Sequence, residues 1–309
     1  PARIYDIIIA MNKNIKILDC TLRDGGYTND WNFGEKNISE IIKNLAKSGI
    51  EYIECGYLNQ TKYSSNKTIF DSIQNLEKFI TNNSPKYTLM INYGEYDINS
   101  IPNCTNNNIG FRVVFRKNDA QNALDYCKKL KEKGYPIFIN PMVTDRYSEE
   151  ELLSIISKTN EIMPVAFSIV DSFGVLSEDK LLELFYLSDK ALNKNIALGF
   201  HSHNNLQLSF SNSKALISAS TNRELIIDST VYGIGRGAGN LCTELITQYL
   251  NETYNTNYDL SPIIEIINDQ INLIPKTWGY SVPYYFAAIN HCHPNYAKYL
   301  IDKKFVWVK

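Results

Sequence analysis

"ILDCTLRDGG" (residues 17–26) reads as a buried strand, Ile17 to Thr21, that stops at a turn marked by Gly25 and Gly26. A doubly wound open sheet would follow its first strand with a glycine-rich GxGxxG turn, and this stretch supplies none. A (β/α)8 barrel has no such requirement. It places its working groups at the carboxyl ends of its strands, which is where Arg23 and Asp24 stand. Taken alone, Arg23 and Asp24 read as a surface ion pair of little energetic weight. The rest of the chain changes that reading.

Seven further apolar runs follow at residues 51–57, 87–93, 109–115, 136–142, 165–171, 196–203 and 225–233. Most are continuous β-branched and aromatic runs, as strands covered on both faces require. The links read mostly as helices. Residues 35–48 carry Ile38, Ile41, Ile42 and Leu45 at helical spacing before Gly49. Residues 119–133 and 177–192 are similar, whereas "GEYDINSIPNCTNNN" is too short and polar for a full helix. Eight strands alternating with helices predict an α/β fold, a (β/α)8 TIM barrel over residues 11–255. Residues 256–309 break the alternation and read as a helical C-terminal extension that supports the site or a dimer contact. Residues 1–10 are set apart as a non-native or disordered leader.

Of 309 residues, 44% are hydrophobic and 21% charged, which is ordinary for a soluble globule. A net charge of -2 gives no reason to expect a nucleic-acid or anionic-membrane partner. No apolar run reaches membrane-spanning length. The six cysteines form no CxxC pair, which argues against a disulfide framework or zinc knuckle and for a reducing cytoplasm.

The strand ends carry Asp19, Arg23, Asp24, Glu54, Asn92, Arg112, Asn140, Asp171, His201, His203, Asn205 and Asp228 in order. Glu54, Arg112 and Asp171 are the expected substrate contacts. In "GFHSHNN", His201 and His203 are two apart and point to the same side of an extended strand. They can present two imidazoles to one ion, or simply be two hydrogen-bonded histidines. Asp24 at another strand end favours a divalent cation with open positions for a chelating substrate. "YGIGRGAGN" after the last strand allows a tight backbone excursion that places Asn240 over the site, with a helix beginning near Asn240.

Together, "LDCTLRDGG", "IECGY", "DSFG", "HSHNN" and "GIGRGAGN" resemble the DRE-TIM metallolyase superfamily in order and spacing over roughly residues 15–250. Its members include isopropylmalate synthase, HMG-CoA lyase and 4-hydroxy-2-oxovalerate aldolase, and the chain looks most like the last branch. The resemblance implies Mn2+ or Mg2+ bound by Asp24, His201 and His203, with Asn240 as a fourth, weaker ligand. It gives Arg23 the stabilisation of an enolate oxygen. The implied activity is an aldolase that makes or breaks a C–C bond next to a 2-oxo acid such as pyruvate, with an aldehyde as second substrate. The alternative is an acyl-CoA-dependent Claisen enzyme. A homodimer is expected from the C-terminal extension, and an aldehyde dehydrogenase partner is implied by the family alone.

One departure concerns the base. Where the aldolases carry a histidine after the Arg-Asp pair, this chain has Tyr27, and an ordinary tyrosine, with a pKa of ~10, is a poor base near neutrality. Tyr280 roughly matches a tyrosine lining the aldolase site. The extension, with Tyr280, His291 and His293, is the expected source of the base.

Overall fold

Side chains alternate across a strand, so a closed ring of strands sorts its residues into an outer layer under helices and an inner layer facing the lumen. The computed structural model describes residues 14–80 and 85–303; the leader assigned to residues 1–10 lies outside them. Eight parallel strands form the barrel: β1 (Ile15–Asp19), β2 (Tyr52–Leu58), β3 (Lys86–Asn92), β4 (Ile109–Phe115), β5 (Ile137–Pro141), β6 (Ala166–Asp171), β7 (Ala197–Ser202) and β8 (Leu225–Ser229). Each pairs with its successor. β8 pairs back to β1 with Ile17 opposite Ile227, which closes the ring. The two-residue strand Ile69–Phe70 adds to β2.

Helices α1 (Glu35–Lys47), α2 (Ala120–Glu132), α3 (Glu149–Ile162), α4 (Glu178–Ala191), α5 (Ser209–Ser218) and α6 (Thr243–Tyr254) cover the outside. The stripe of Ile38, Ile41, Ile42 and Leu45 on α1 is buried, and a capping box of Ser148 and Glu151 starts α3. The polar link between β3 and β4 holds only a 3-10 turn at Ile98–Ser100. Among the described residues, the β2–β3 link is also poorer in helix than the overall alternation implied, with one short piece at Ile73–Glu77.

Two boundaries at the end of the barrel differ from the sequence expectation. The last strand stops at Ser229, and Val231–Gly233 form a 3-10 turn with Tyr232 at φ 58°. The helix expected near Asn240 begins at Thr243. The reason is hydrogen bonding across the barrel mouth. Thr230 N donates to Leu241 O at 2.9 Å and Asn204 N to Gly239 O at 2.8 Å, while Asn240 pairs with His203 as an isolated bridge. Residues 240–242 are therefore held extended beside the strand ends.

Beyond α6 come α7 (Leu260–Asp269), α8 (Val282–Ile289) and α9 (Pro294–Asp302). Trp278 Nε1 donates to Tyr232 O at 3.1 Å and ties this region to the mouth. Tyr284, Ala287 and Ala297 pack α8 on α9. All six cysteines are free. Among the described residues no helix is long and apolar enough to cross a membrane.

Candidate metal centre

Along three inward-facing rows, an apolar residue gives way to a polar one two positions later. Tyr52 precedes Glu54, Phe138 precedes Asn140 and Ile226 precedes Asp228. The lower lumen is an apolar plug that includes Leu18, Tyr52, Phe138, Ala166 and Ile226. The Tyr52 and Phe138 rings meet edge to face at 5.4 Å, although β2 and β5 are not neighbours, so the contact spans the lumen.

An ionic layer lies on this plug. Arg23 Nε contacts Glu54 Oε2 at 2.6 Å, and Arg112 Nη1 reaches the same oxygen at 3.1 Å. Arg112 also pairs with Asp228 from the far side of the barrel. All four groups are buried, where ionised groups persist only when paired and hydrogen-bonded. The carboxylates hold both arginines charged: burial opposes this, but Asp24 and Glu54 raise the pKa of Arg23, and Asp228 and Glu54 that of Arg112.

Above this layer, the chain leaves β1 in one helical turn, Thr21–Asp24, whose Asp24 N donates to Cys20 O at 2.8 Å. The buried Asp19 carboxylate fixes the turn, accepting from Thr21 N at 2.9 Å and from Thr243 Oγ1 at 2.7 Å. This carries Asp24 to His201 and His203, whose Nε2 atoms lie 3.4 and 4.0 Å from Asp24 Oδ2. The three donor atoms all lie within 4.8 Å of one another. On its other ring nitrogen, His201 Nδ1 bonds to Asp228 Oδ2 at 2.9 Å, the carboxylate–histidine arrangement that orients a metal ligand.

The electrostatics suit a cation. Burial opposes charge on Asp24, yet Arg23, His203 and His201 hold its carboxyl well below the usual carboxylate range. Burial pushes His203 down to about 3, with Arg236, His201 and Arg23 adding to it against Asp24, so its imidazole is neutral. Burial also opposes a charge on His201, but its hydrogen bond to Asp228 and the Asp24 carboxylate 3.4 Å away outweigh that and raise its pKa. Both Asp24 oxygens and Asn240 Oδ1 are buried without a hydrogen-bond partner. Unpartnered buried acceptors are costly, and a divalent ion would satisfy them. Cys20, His201 and Asp228 form a second compact set. There the Arg112 guanidinium already contacts both Cys20 Sγ and Asp228, and burial keeps the thiol protonated, so a cation is disfavoured.

The cleft above these groups encloses a free volume of about 80 Å³ and opens to solvent at its mouth. Arg23, Tyr27, Arg112, His201 and His203 line it. Tyr27 meets Tyr57 hydroxyl to hydroxyl at 3.0 Å. Asn240 sits against His203, its Nδ2 donating to Ile234 O at 3.1 Å.

Three expectations are corrected. Glu54 lies outside the cleft lining, where it holds Arg23 and Arg112. Asp171 is turned into the following loop, accepting from Val175 N at 2.9 Å and Leu176 N at 3.1 Å, and burial raises its pKa to about 6. Tyr280 is 60% exposed and outside the cleft lining, because Trp278 anchors that segment to Tyr232 on the flank. Of the extension histidines, His291 is exposed while His293 packs against Phe173 at the rim. Sequence reasoning gave no role to Asp228 beyond its strand-end position, nor to Asn205, whose amide joins Phe173 O to Ala238 N. Spacing on β8 placed Asp228 on the lumen face, but its partner on β7 is visible only in three dimensions.

The HMGL-like family profile matches residues 14–269. The chain is 26% identical over 259 residues to a 4-hydroxy-2-oxovalerate aldolase of Geobacillus genomosp. 3, covering 81% of this chain and 75% of that protein. It is 23% identical over 286 residues to a 2-isopropylmalate synthase of Saccharolobus solfataricus, covering 90% and 72%. Among solved structures, the N-terminal domain of an aldolase-like protein from Bacteroides vulgatus superposes with a TM-score of 0.82 at 28% identity, covering 93% and 96%. The HMG-CoA lyase of Brucella melitensis superposes with a TM-score of 0.67 at 14% identity, covering 85% and 99%, a likeness of fold.

Proposed function

Because the chain belongs to the HMGL-like family of metal-dependent aldolases and lyases, we propose that it is an aldolase joining or splitting a 2-oxo acid such as pyruvate and an aldehyde. The observation that carries this reading is the compact donor set of Asp24, His201 and His203 with the Arg23 guanidinium 3.3 Å from Asp24 Oδ2. These residues, with Asn240, would hold Mn2+ or Mg2+. Bound there, the ion supplies Lewis-acid polarisation of the 2-oxo acid.

In the joining direction, hydroxide from solvent takes a proton from C3 of the 2-oxo acid and becomes water, and the resulting enolate carbon attacks the aldehyde carbonyl. The new alkoxide then takes up a proton. Arg23, fixed by Glu54, presents a guanidinium that keeps its proton to the oxygen on which charge develops. Tyr27, which lines the cleft, would exchange the hydroxyl proton in this reading. Burial keeps its partner Tyr57 protonated, so the Tyr57 hydroxyl can donate to Tyr27. His203, held neutral, keeps its lone pair free for coordination.

A screen of 2-oxo acids against aldehydes with Mn2+ present, run with and without acetyl-CoA, tests the proposal. Aldol product without the thioester supports it. Product only with acetyl-CoA supports the second reading, a Claisen condensation, for which the likeness to a 2-isopropylmalate synthase speaks.

A further inference from the structure

Three arginines line the cleft, and two are neutralised: Arg23 by Asp24 and Glu54, Arg112 by Glu54 and Asp228. Arg236 is different. Among the described residues no carboxylate lies within ion-pair distance of it, and its Nε is buried without a hydrogen-bond partner. Its guanidinium lies over the Tyr27 ring at 5.0 Å. It shares the cleft lining with His201 and His203.

The loop is built to hold it there. A side chain at Gly235 would run into Asn240 Nδ2 at 2.1 Å, and one at Gly237, with φ +67°, into Asn205 Oδ1 at 2.7 Å. Arg236 alone projects from a packed turn. Elsewhere in the cleft, Met90, Val114 and Met142 offer an apolar wall. A partly desolvated cation beside an apolar wall and without an acid fits a ligand with a neutral stem and its own negative charge.

Building on the aldolase reading, we propose that Arg236 selects an electrophilic partner bearing a terminal anion, a carboxylate or a phosphate, at the end remote from its aldehyde. The carboxylate of the 2-oxo acid belongs at the metal donors, and Arg23 faces the reacting oxygen. Arg236 is left for the far end of the second substrate, where a planar fork grips two anionic oxygens.

The test compares ligands of similar length with and without that terminal charge. Calorimetry on the Mn2+-loaded protein measures 4-hydroxybutyrate and 2-hydroxyethyl phosphate against neutral 1,4-butanediol, in wild type, Arg236→Gln and Arg236→Lys. Turnover of pyruvate with succinic semialdehyde is compared with butanal. The anionic ligands are expected to bind about tenfold to 150-fold more tightly than the neutral one, the weight of a charge-assisted hydrogen bond. Arg236→Gln should erase that advantage through KM, and Arg236→Lys should restore part of it. The better anion names the class. The proposal is overturned by absence of charge preference in wild type, by an equal loss for charged and neutral ligands in Arg236→Gln, or by a loss confined to pyruvate. If no aldehyde turns over, the aldolase reading fails, while the binding measurements still decide the role of Arg236.

Discussion

Replacing Asp228 with Asn keeps its shape and removes its charge, which probes two contacts at once. Asp228 Oδ2 holds His201 Nδ1 at 2.9 Å, leaving Nε2 to face Asp24. Loss of a carboxylate behind a ligating histidine costs about 10- to 100-fold in metal affinity, or about 1.4 to 2.7 kcal/mol. Asp228 is also one of two acids on buried Arg112. Stripping a buried charge of its partner costs about 3–5 kcal/mol. Glu54 stays at 3.1 Å, so the low end, about 3 kcal/mol, is the expected fall in unfolding free energy. Manganese titration reads the first effect and urea denaturation of the metal-free protein the second. A stability loss with metal affinity unchanged within threefold would refute the reasoning. It would make Asp228 a partner of Arg112 alone.

Arg23→Lys should fold yet lose most of kcat with a smaller change in KM, because a point charge cannot contact Glu54 and face the reacting oxygen together; near-normal kcat in a steady-state assay would remove Arg23 from the chemistry. Gly174→Ala should disturb the histidine strand end, since Gly174 sits at φ +62° and an added Cβ would lie 2.5 Å from His203 O; a lowered melting temperature together with weaker metal binding is the expected result. Burial penalises the charge of Asp19 and pushes its carboxyl up from an ordinary 3.8 to about 6 in the folded state. The protonated form thus contributes stability below pH 3.8 that is lost as pH rises through 6, about 3 kcal/mol over the whole window. Asp19→Asn removes this dependence, so its stability relative to wild type should climb between pH 4 and 7, as measured by denaturant midpoints; a flat difference would contradict the assignment.

What the sequence made legible was governed by local rules. Strand alternation put His201 and His203 on one face, and the missing GxGxxG turn after Thr21 pointed to a barrel. The α1 stripe followed from helical spacing. Contacts across the lumen were not legible. Glu54 and Asp171 look alike as strand-end acids, yet one faces two arginines and the other the amides of its own loop. That depends on residues far away in sequence or on the turn conformation. Arg236 was hidden for another reason: in "GIGRGAGN" the glycines and Asn240 drew the reading, and an arginine lacking an acid partner can be recognised only once every acid has a place.

The central claim is that Asp24, His201 and His203 hold a metal at which Arg23 stabilises the enolate of a 2-oxo acid. Proton NMR of the pyruvate methyl group in D2O, with Mn2+-loaded protein later freed of the paramagnetic ion and no aldehyde or thioester added, tests it directly. The account predicts exchange of the C3 protons that stops on chelation and in His203→Ala. Absence of exchange by protein with the metal demonstrably bound, or exchange unchanged in His203→Ala, would contradict it.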